Sequence, residues 1–153
     1  MTDKNNLNLY KVIKSLSYSM DLISETIVGH HKKVTYIALK LGKQMNLSEN
    51  ELKDLTISAL IHDLGVFYLN QRFSDLSFDN KNNKHAEVGY NLLEDNFPIS
   101  NIPEIIKYHH HKWNYGKNKD IPLLSNLLHL ADRIAVLIKD KTSILSQKNK
   151  IKK

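Results

Sequence analysis

Histidine and aspartate residues recur along this chain in a pattern that could bind metal ions. Eight histidines occur in 153 residues, and five of them fall in one series with two aspartates. The series is His30, His62, Asp63, His85, His109, His110 and Asp132. Imidazole and carboxylate groups hold divalent metals, and a site for two metals needs about this many ligands. A binuclear metal centre is therefore the first chemistry to consider.

The case for a metal site depends on the whole series. A single histidine at a helix end is more often a cap or a surface residue. Asp132 lies between Leu130-Ala131 and Ile134-Ala135, where a buried carboxylate is costly unless it is paired or metal-bound, although an exposed face is the alternative. The chain has no cysteine, so any metal must be held by nitrogen and oxygen.

The composition is that of a soluble globular protein, with 41% hydrophobic and 25% charged residues. The net charge is +6, but only two of the 22 basic residues are arginines and the lysines are spread along the chain. We interpret this charge as a compositional bias, and we expect a small anionic partner rather than nucleic acid. No apolar stretch approaches the roughly 20 residues that span a bilayer, and the N-terminus lacks a signal peptide, so we expect no membrane partner and a cytoplasmic location.

Apolar residues recur with helical spacing almost throughout, and no strand pattern is convincing, so the predicted fold class is all-α. Ser48 and Glu51 form a capping-box pattern that predicts a helix start, and Gly65 is well placed to end that helix. Pro103 suits the first turn of a later helix. We predict helices at about 7–24, 30–46, 48–63, 85–95, from 103 onward, and 122–139, with a polar loop at 70–84.

The candidate ligands lie mostly at the ends of these helices. His30 opens one helix, His62 and Asp63 close the next, and His85 opens a third. The pair at 109–110 ends a fourth helix, and Asp132 lies inside the last. These side chains can converge only if the bundle brings those helix ends together.

Five ordered segments resemble the HD superfamily of metal-dependent phosphohydrolases, and within it the HD-GYP branch. His30 and Val34 match its His-x-x-x-Val, and Leu-Ser-Glu at 47–49 leads to the His-Asp-Leu-Gly at 62–65. HAEVGYNLL at 85–93 resembles its His-x-x-x-Gly-x-x-Leu-Leu, and YHHHKW at 108–113 resembles its Tyr-His-His-Glu-x-Trp. The stretch 121–134 resembles the segment that bears the family's last metal-binding aspartate.

This resemblance implies a single domain over 1–153, built as a bundle of about six helices around a binuclear metal site. An N-terminal helix would occupy about 1–25, the metal-binding core 26–140, and a basic tail 141–153, where the natural protein either ends or continues. One metal would be held by His30, His62, Asp63 and Asp132, and the other by Asp63, His85, His109 and His110. His62 and Asp63 would be catalytic, with Asp63 bridging the metals. His31 and His111 align with positions that are not ligands, and Glu25 lies near the place of an acidic ligand for a third metal.

The implied cofactors are two divalent ions, with iron or manganese favoured and zinc, nickel or cobalt also compatible. They would bind phosphate oxygens and share a hydroxide that attacks phosphorus. In the HD-GYP branch the usual substrate is the cyclic dinucleotide c-di-GMP, which is cleaved to pGpG or GMP.

The chain departs from the family where the substrate would be held. Val66 occupies the position of a family lysine, Asn126 that of an arginine, and a shorter NYGKNKDIP replaces the Gly-Tyr-Pro loop. Lys112 and Lys117 are candidates to supply the missing charge, with Lys119 a further one and solvated loop lysines as the alternative.

Four functions therefore stay open. The favoured one is a cyclic-dinucleotide phosphodiesterase. The second is a phosphohydrolase of the wider superfamily that acts on a nucleoside phosphate, which the lost loop and Val66 favour. The third is a metal-bound receptor or signalling module of weak activity, and the fourth is oxidation at a di-iron site.

Overall fold

The computed structural model describes residues 8–22, 28–69, 84–95, 101–113 and 120–138. Within these ranges the chain forms helices and no strands, so the predicted all-α fold is confirmed. The helices are α1 (Leu9–Leu22), α2 (His30–Gln44), α3 (Glu49–Ile61), α4 (Leu64–Tyr68), α5 (Lys84–Glu94), α6 (Ile102–Lys107) and α7 (Leu123–Leu137). The five-residue α4 follows α3 almost directly, which accounts for the difference from the six helices expected. Most of the predicted 70–84 loop and the basic tail lie outside the described residues.

Helix α3 lies at the centre of the bundle and packs on two sides. Leu55 and Ala59 belong to a core cluster shared with α2, α6 and α7. Ile57, Leu60 and Ile61 belong to a second cluster shared with α1, α5 and α6. Burial on both sides explains why the sequence of this helix is a nearly continuous apolar run rather than an amphipathic one.

The predicted start of α3 is confirmed by a complete capping box. The Ser48 backbone N–H donates to Glu51 Oε2 at 2.8 Å, and the Glu51 backbone N–H donates to Ser48 Oγ at 3.4 Å. These bonds satisfy backbone donors that the first turn of a helix leaves free. The cap thus fixes the start of α3, and the rigid helix then sets the position of the residues at its other end.

The predicted role of Gly65 is wrong, because α3 ends at Ile61 and Gly65 lies inside α4. Its backbone instead passes very close to α5. A Cβ atom at Gly65 would lie 2.0 Å from the carbonyl oxygen of His85 and 2.8 Å from the backbone nitrogen of Gly89. Glycine is required here for the approach of two backbones.

Proline occupies the first turn of α6, as predicted. The helix ends at Lys107, and His109 and His110 follow in a turn instead of ending the helix themselves. Over the ranges that can be described, no helix combines the length and the apolar character needed to cross a bilayer.

Candidate metal centre

All seven side chains of the predicted series meet in one region of the bundle. They come from the start of α2, the α3–α4 junction, the start of α5, the turn after α6 and the middle of α7. Five are buried, and the other two, His30 and His110, are partly buried. The exposed-face alternative for Asp132 is excluded, since the residue is only 4% exposed.

The first group of potential ligand atoms joins α2, the α3–α4 junction and α7. The ligand atoms of His30, His62 and Asp63 all lie within 4.8 Å of one another. Asp132 Oδ1 lies 3.1 Å from His30 Nε2 and 3.8 Å from His62 Nε2. Two imidazoles and two carboxylates thus face a common space.

The second group joins α5 to the turn after α6. The ligand atoms of His85, His109 and His110 also lie within 4.8 Å of one another. The Nε2 atoms of His85 and His110 are 2.8 Å apart, and the rings of His109 and His110 have centroids 4.0 Å apart. Three imidazoles packed this closely cannot all be protonated, so the group is suited to a cation.

Asp63 lies between the two groups and offers one oxygen to each. Its Oδ2 atom is 3.2 Å from His62 Nε2, and its Oδ1 atom is 3.6 Å from His85 Nε2. The break between α3 and α4 allows this, because it frees the Asp63 side chain from the direction that a continuous helix would impose. The geometry matches a carboxylate that can be shared by two ions.

Two of the histidines are oriented by backbone carbonyls near the ends of the helices that precede them. His62 Nδ1 lies 3.0 Å from the Ala59 carbonyl oxygen, and His109 Nδ1 lies 2.6 Å from that of Ile106. A carbonyl only accepts, so each Nδ1 carries the proton and donates it. Each Nε2 is then the ring atom left to face the centre, and both Nε2 atoms are buried without a hydrogen-bond partner. On binding an ion, His62 Nε2 would release the proton that the nearby carboxylates favour. Buried acceptors without partners are costly, and a bound divalent ion would satisfy them, so the residues fit a metal.

The histidine pKa values differ between the two groups. Burial lowers the pKa of His62, but the carboxylates of Asp63 and Asp132 outweigh it and raise that pKa to about 9. Burial and the neighbouring His85 lower the pKa of His110 to about 4. Burial and adjacent imidazoles also hold the pKa of His109 well below its ordinary value. Carboxylates concentrate negative charge beside the first group, while the second is kept neutral.

The predicted substrate-binding lysines are less well supported. Lys112 is described and exposed, beside the turn that bears His110. Lys117, Lys119 and the shortened loop lie outside the described residues, as does Glu25. Val66 is fully buried in α4, so that position offers no cation to a phosphate.

His31 was predicted to lie outside the site, and the structure instead places its ring against the first group. The ring is fully buried, with Nδ1 2.5 Å from Asp21 Oδ1 and Nε2 3.7 Å from Asp63 Oδ2. Burial lowers the pKa of His31, although Asp21 opposes this.

Asp21 was missed because it lies in a helix that carried no candidate ligand. A signal was nevertheless present, since the buried face of α1 is Ile13, Ser17, Met20 and Asp21. Asp21 therefore continues a helical stripe whose other members pack inward. A carboxylate on such a stripe indicates a buried partner.

His129 is a further residue that the sequence reasoning did not single out. It lies on α7, one turn before Asp132, and its Nδ1 atom is 2.9 Å from the His109 carbonyl oxygen. This bond ties α7 to the turn that carries His109 and His110.

Comparison with known proteins agrees with this geometry. The sequence model of the family described as "HD domain" matches residues 27–137. The chain is 29% identical over 141 residues to 3'3'-cGAMP-specific phosphodiesterase 1 of Vibrio cholerae serotype O1 (strain ATCC 39315 / El Tor Inaba N16961). The alignment covers 86% of this chain and 32% of that relative, so the chain spans about a third of the length of the relative. No solved structure matches the chain significantly.

Proposed function

The chain belongs to the HD domain family, and on that premise we propose that it is a metal-dependent phosphodiesterase acting on a cyclic dinucleotide. One observation carries the proposal: Asp63 presents one carboxylate oxygen to each of two groups of potential ligand atoms. Such an arrangement suits two divalent ions held side by side, which is a recurring solution for hydrolysis of phosphate esters.

Each proposed ligand has a defined place. His30, His62 and Asp132 would hold one ion, His85, His109 and His110 the other, and Asp63 would contact both. When bound, two such ions lower the pKa of a coordinated water and neutralise charge on the phosphate oxygens. The nitrogen and oxygen donors suit iron, manganese, zinc, nickel or cobalt, and the family resemblance favours iron and manganese among them.

The protein's own side chains prepare this site. The Nδ1 donors of His62 and His109 are committed to backbone carbonyls, so their Nε2 lone pairs are fixed toward the centre. Five of the seven proposed ligands are buried in the bundle and the other two are partly buried. Exclusion of bulk water strengthens electrostatic attraction between a bound ion and a charged phosphate. We propose that residues 26–140 carry this activity, within a single domain over the chain.

The substrate class is supported by two sequence resemblances. The order of the histidine segments resembles the HD-GYP branch, for which c-di-GMP is the usual substrate. The curated relative is named for 3'3'-cGAMP. We therefore propose a cyclic dinucleotide and treat c-di-GMP and 3'3'-cGAMP as the two substrates to compare.

The test is direct hydrolysis. The protein is reconstituted anaerobically with Fe²⁺ or Mn²⁺, incubated separately with c-di-GMP and 3'3'-cGAMP, and the products are separated by chromatography. We expect a linear dinucleotide or mononucleotides from at least one substrate, and no product with His62→Ala. His111→Ala is the control, since His111 is an exposed histidine just after the turn that carries His109 and His110.

One observation favours a second candidate. The buried Val66 supplies no cation where the resembled family has a lysine, which suits a smaller substrate such as a nucleoside phosphate. Release of phosphate from nucleotides by a fully metallated protein that leaves both cyclic dinucleotides intact would favour that function. Binding of a dinucleotide without turnover would favour a receptor instead.

A further inference from the structure

His31 and Asp21 form a buried pair that the family pattern does not include. Asp21 Oδ1 accepts from two donors of the same residue, the His31 backbone N–H at 3.3 Å and the ring Nδ1–H at 2.5 Å. The N-cap residue Gly29 has no side chain to cap α2, so Asp21 supplies this acceptor from α1. The histidine is therefore fixed at two points.

The ring of His31 has the same bonding pattern as two of the proposed ligands. In His31, His62 and His109 the Nδ1 atom faces an acceptor, and in all three the Nε2 atom is buried with no hydrogen-bond partner. His31 differs only in that its acceptor is a carboxylate. Metal-binding imidazoles commonly donate their other ring N–H to a carboxylate, which fixes the ring and makes Nε2 a better ligand.

The free Nε2 atom of His31 faces the first group of ligands. It lies 3.7 Å from Asp63 Oδ2, and the ring centroid lies 5.2 Å from that of His62. With the Nδ1 proton donated to Asp21, Nε2 and the carboxylate oxygen are both acceptors. Two buried acceptors facing each other repel unless a proton or a metal ion lies between them.

We propose that His31 is an additional metal ligand of this centre and that Asp21 is its positioning residue. Asp21 orients the ring through Nδ1. The Nε2 atom would bind the ion of the first group, which Asp63 Oδ2 also faces. Helix α1 thereby becomes part of the metal site. This inference rests on the proposed function, because it adds a ligand to the same centre.

The experiment is a titration of the metal-free protein with Mn²⁺. Binding is monitored by calorimetry and by the electron paramagnetic resonance signal of free Mn²⁺. The variants are His31→Ala and Asp21→Asn. Asp21→Asn keeps an oxygen acceptor for the ring and removes only the charge, so it remains informative where His31→Ala fails to fold. Ser17→Ala is the control, because Ser17 is buried on the same face of α1, one turn before Asp21.

We expect the Mn²⁺ affinity to fall at least about tenfold in His31→Ala and by roughly tenfold in Asp21→Asn, the lower end of the usual loss when a residue that orients a metal ligand is removed. Ser17→Ala should bind as the wild type does. Equal Mn²⁺ affinity in the wild type and both folded variants would overturn the proposed role of His31 and leave the proposed function standing. A wild-type protein that binds no Mn²⁺, Fe²⁺ or Zn²⁺ would overturn the proposed function and this inference with it.

Discussion

At the scale of single residues, Asp63 is the side chain on which both halves of the proposed centre depend. We expect Asp63→Asn to lower the Mn²⁺ content to less than half of the wild-type value, because the amide keeps the shape but loses the charge shared by both groups. Asp132→Asn should affect only the group that contains His30. Metal content after gel filtration, measured by mass spectrometry, checks both outcomes.

The matched control for these substitutions is Asp54→Asn, which removes a carboxylate from α3 at a distance from the centre. It should retain the full metal content. If Asp63→Asn also retains it, the bridging role of Asp63 is wrong.

His110 provides a prediction about pH in the metal-free protein. Its pKa is lowered from 6.5 to about 4 by burial and by the neighbouring His85, so the folded chain keeps the ring neutral where the unfolded chain is protonated. The free energy of unfolding is therefore highest above about pH 6.5. It falls as the pH falls toward 4, by an amount on the order of 3 kcal/mol. Urea unfolding of EDTA-treated protein at pH 7.5 and 4.5 measures it.

Other groups titrate in the same range, so the comparison needs a variant. His110→Gln cannot gain the proton, and we expect it to lose distinctly less stability between these two pH values. An identical loss in the variant and the wild type would contradict the assignment to His110.

At the scale of elements, the contact between α4 and α5 positions one half of the centre relative to the other. Gly65→Ala would place a methyl group 2.0 Å from the His85 carbonyl oxygen, and a backbone atom cannot move aside without moving its helix. We expect a loss of roughly 1–3 kcal/mol or more and weaker metal binding, because His85 would shift from Asp63. Thermal unfolding and Mn²⁺ titration measure the two effects.

Gly89→Ala, on α5 opposite Gly65, is the control with a milder steric conflict. Its added Cβ would meet the Ile106 side chain at 3.1 Å, and that methyl group can rotate or shift by a few tenths of an ångström. The better helix propensity of alanine, worth about 1 kcal/mol, offsets this contact. Equal losses in the two variants would contradict the special role of the Gly65 approach.

At the scale of the whole molecule, a bound ion would tie together helices that otherwise meet through separate apolar clusters. An ion that binds only the folded state at 100 times its dissociation constant stabilises that state by about 2.7 kcal/mol. For a chain of this size we expect a melting temperature higher by roughly 5–10 °C with saturating Mn²⁺ than with EDTA. His62→Ala should abolish most of that shift, and an equal shift in this variant would count against the centre.

The sequence was sufficient to predict six of the seven described helices and the seven side chains that meet. Helical spacing and the Ser48–Glu51 pattern are local signals, and the order of the histidine segments resembles a known family. The pairing of Asp21 with His31 and the close passage of Gly65 could not be predicted in the same way. Both depend on the angle and distance at which α1 meets α2 and α4 meets α5, which no local pattern encodes.

The wide spacing of the proposed ligands along the chain, from His30 to Asp132, has a consequence for folding kinetics. No short segment contains a complete site, because the first group needs α2, the α3–α4 junction and α7, and the second needs Asp63, α5 and the turn after α6. An ion therefore has little to bind until these separate elements have packed together. Contacts that form after the folding transition state mainly slow unfolding and leave the folding rate nearly unchanged. A metal at this centre should therefore slow unfolding and lengthen the lifetime of the native state, while the folding rate changes little.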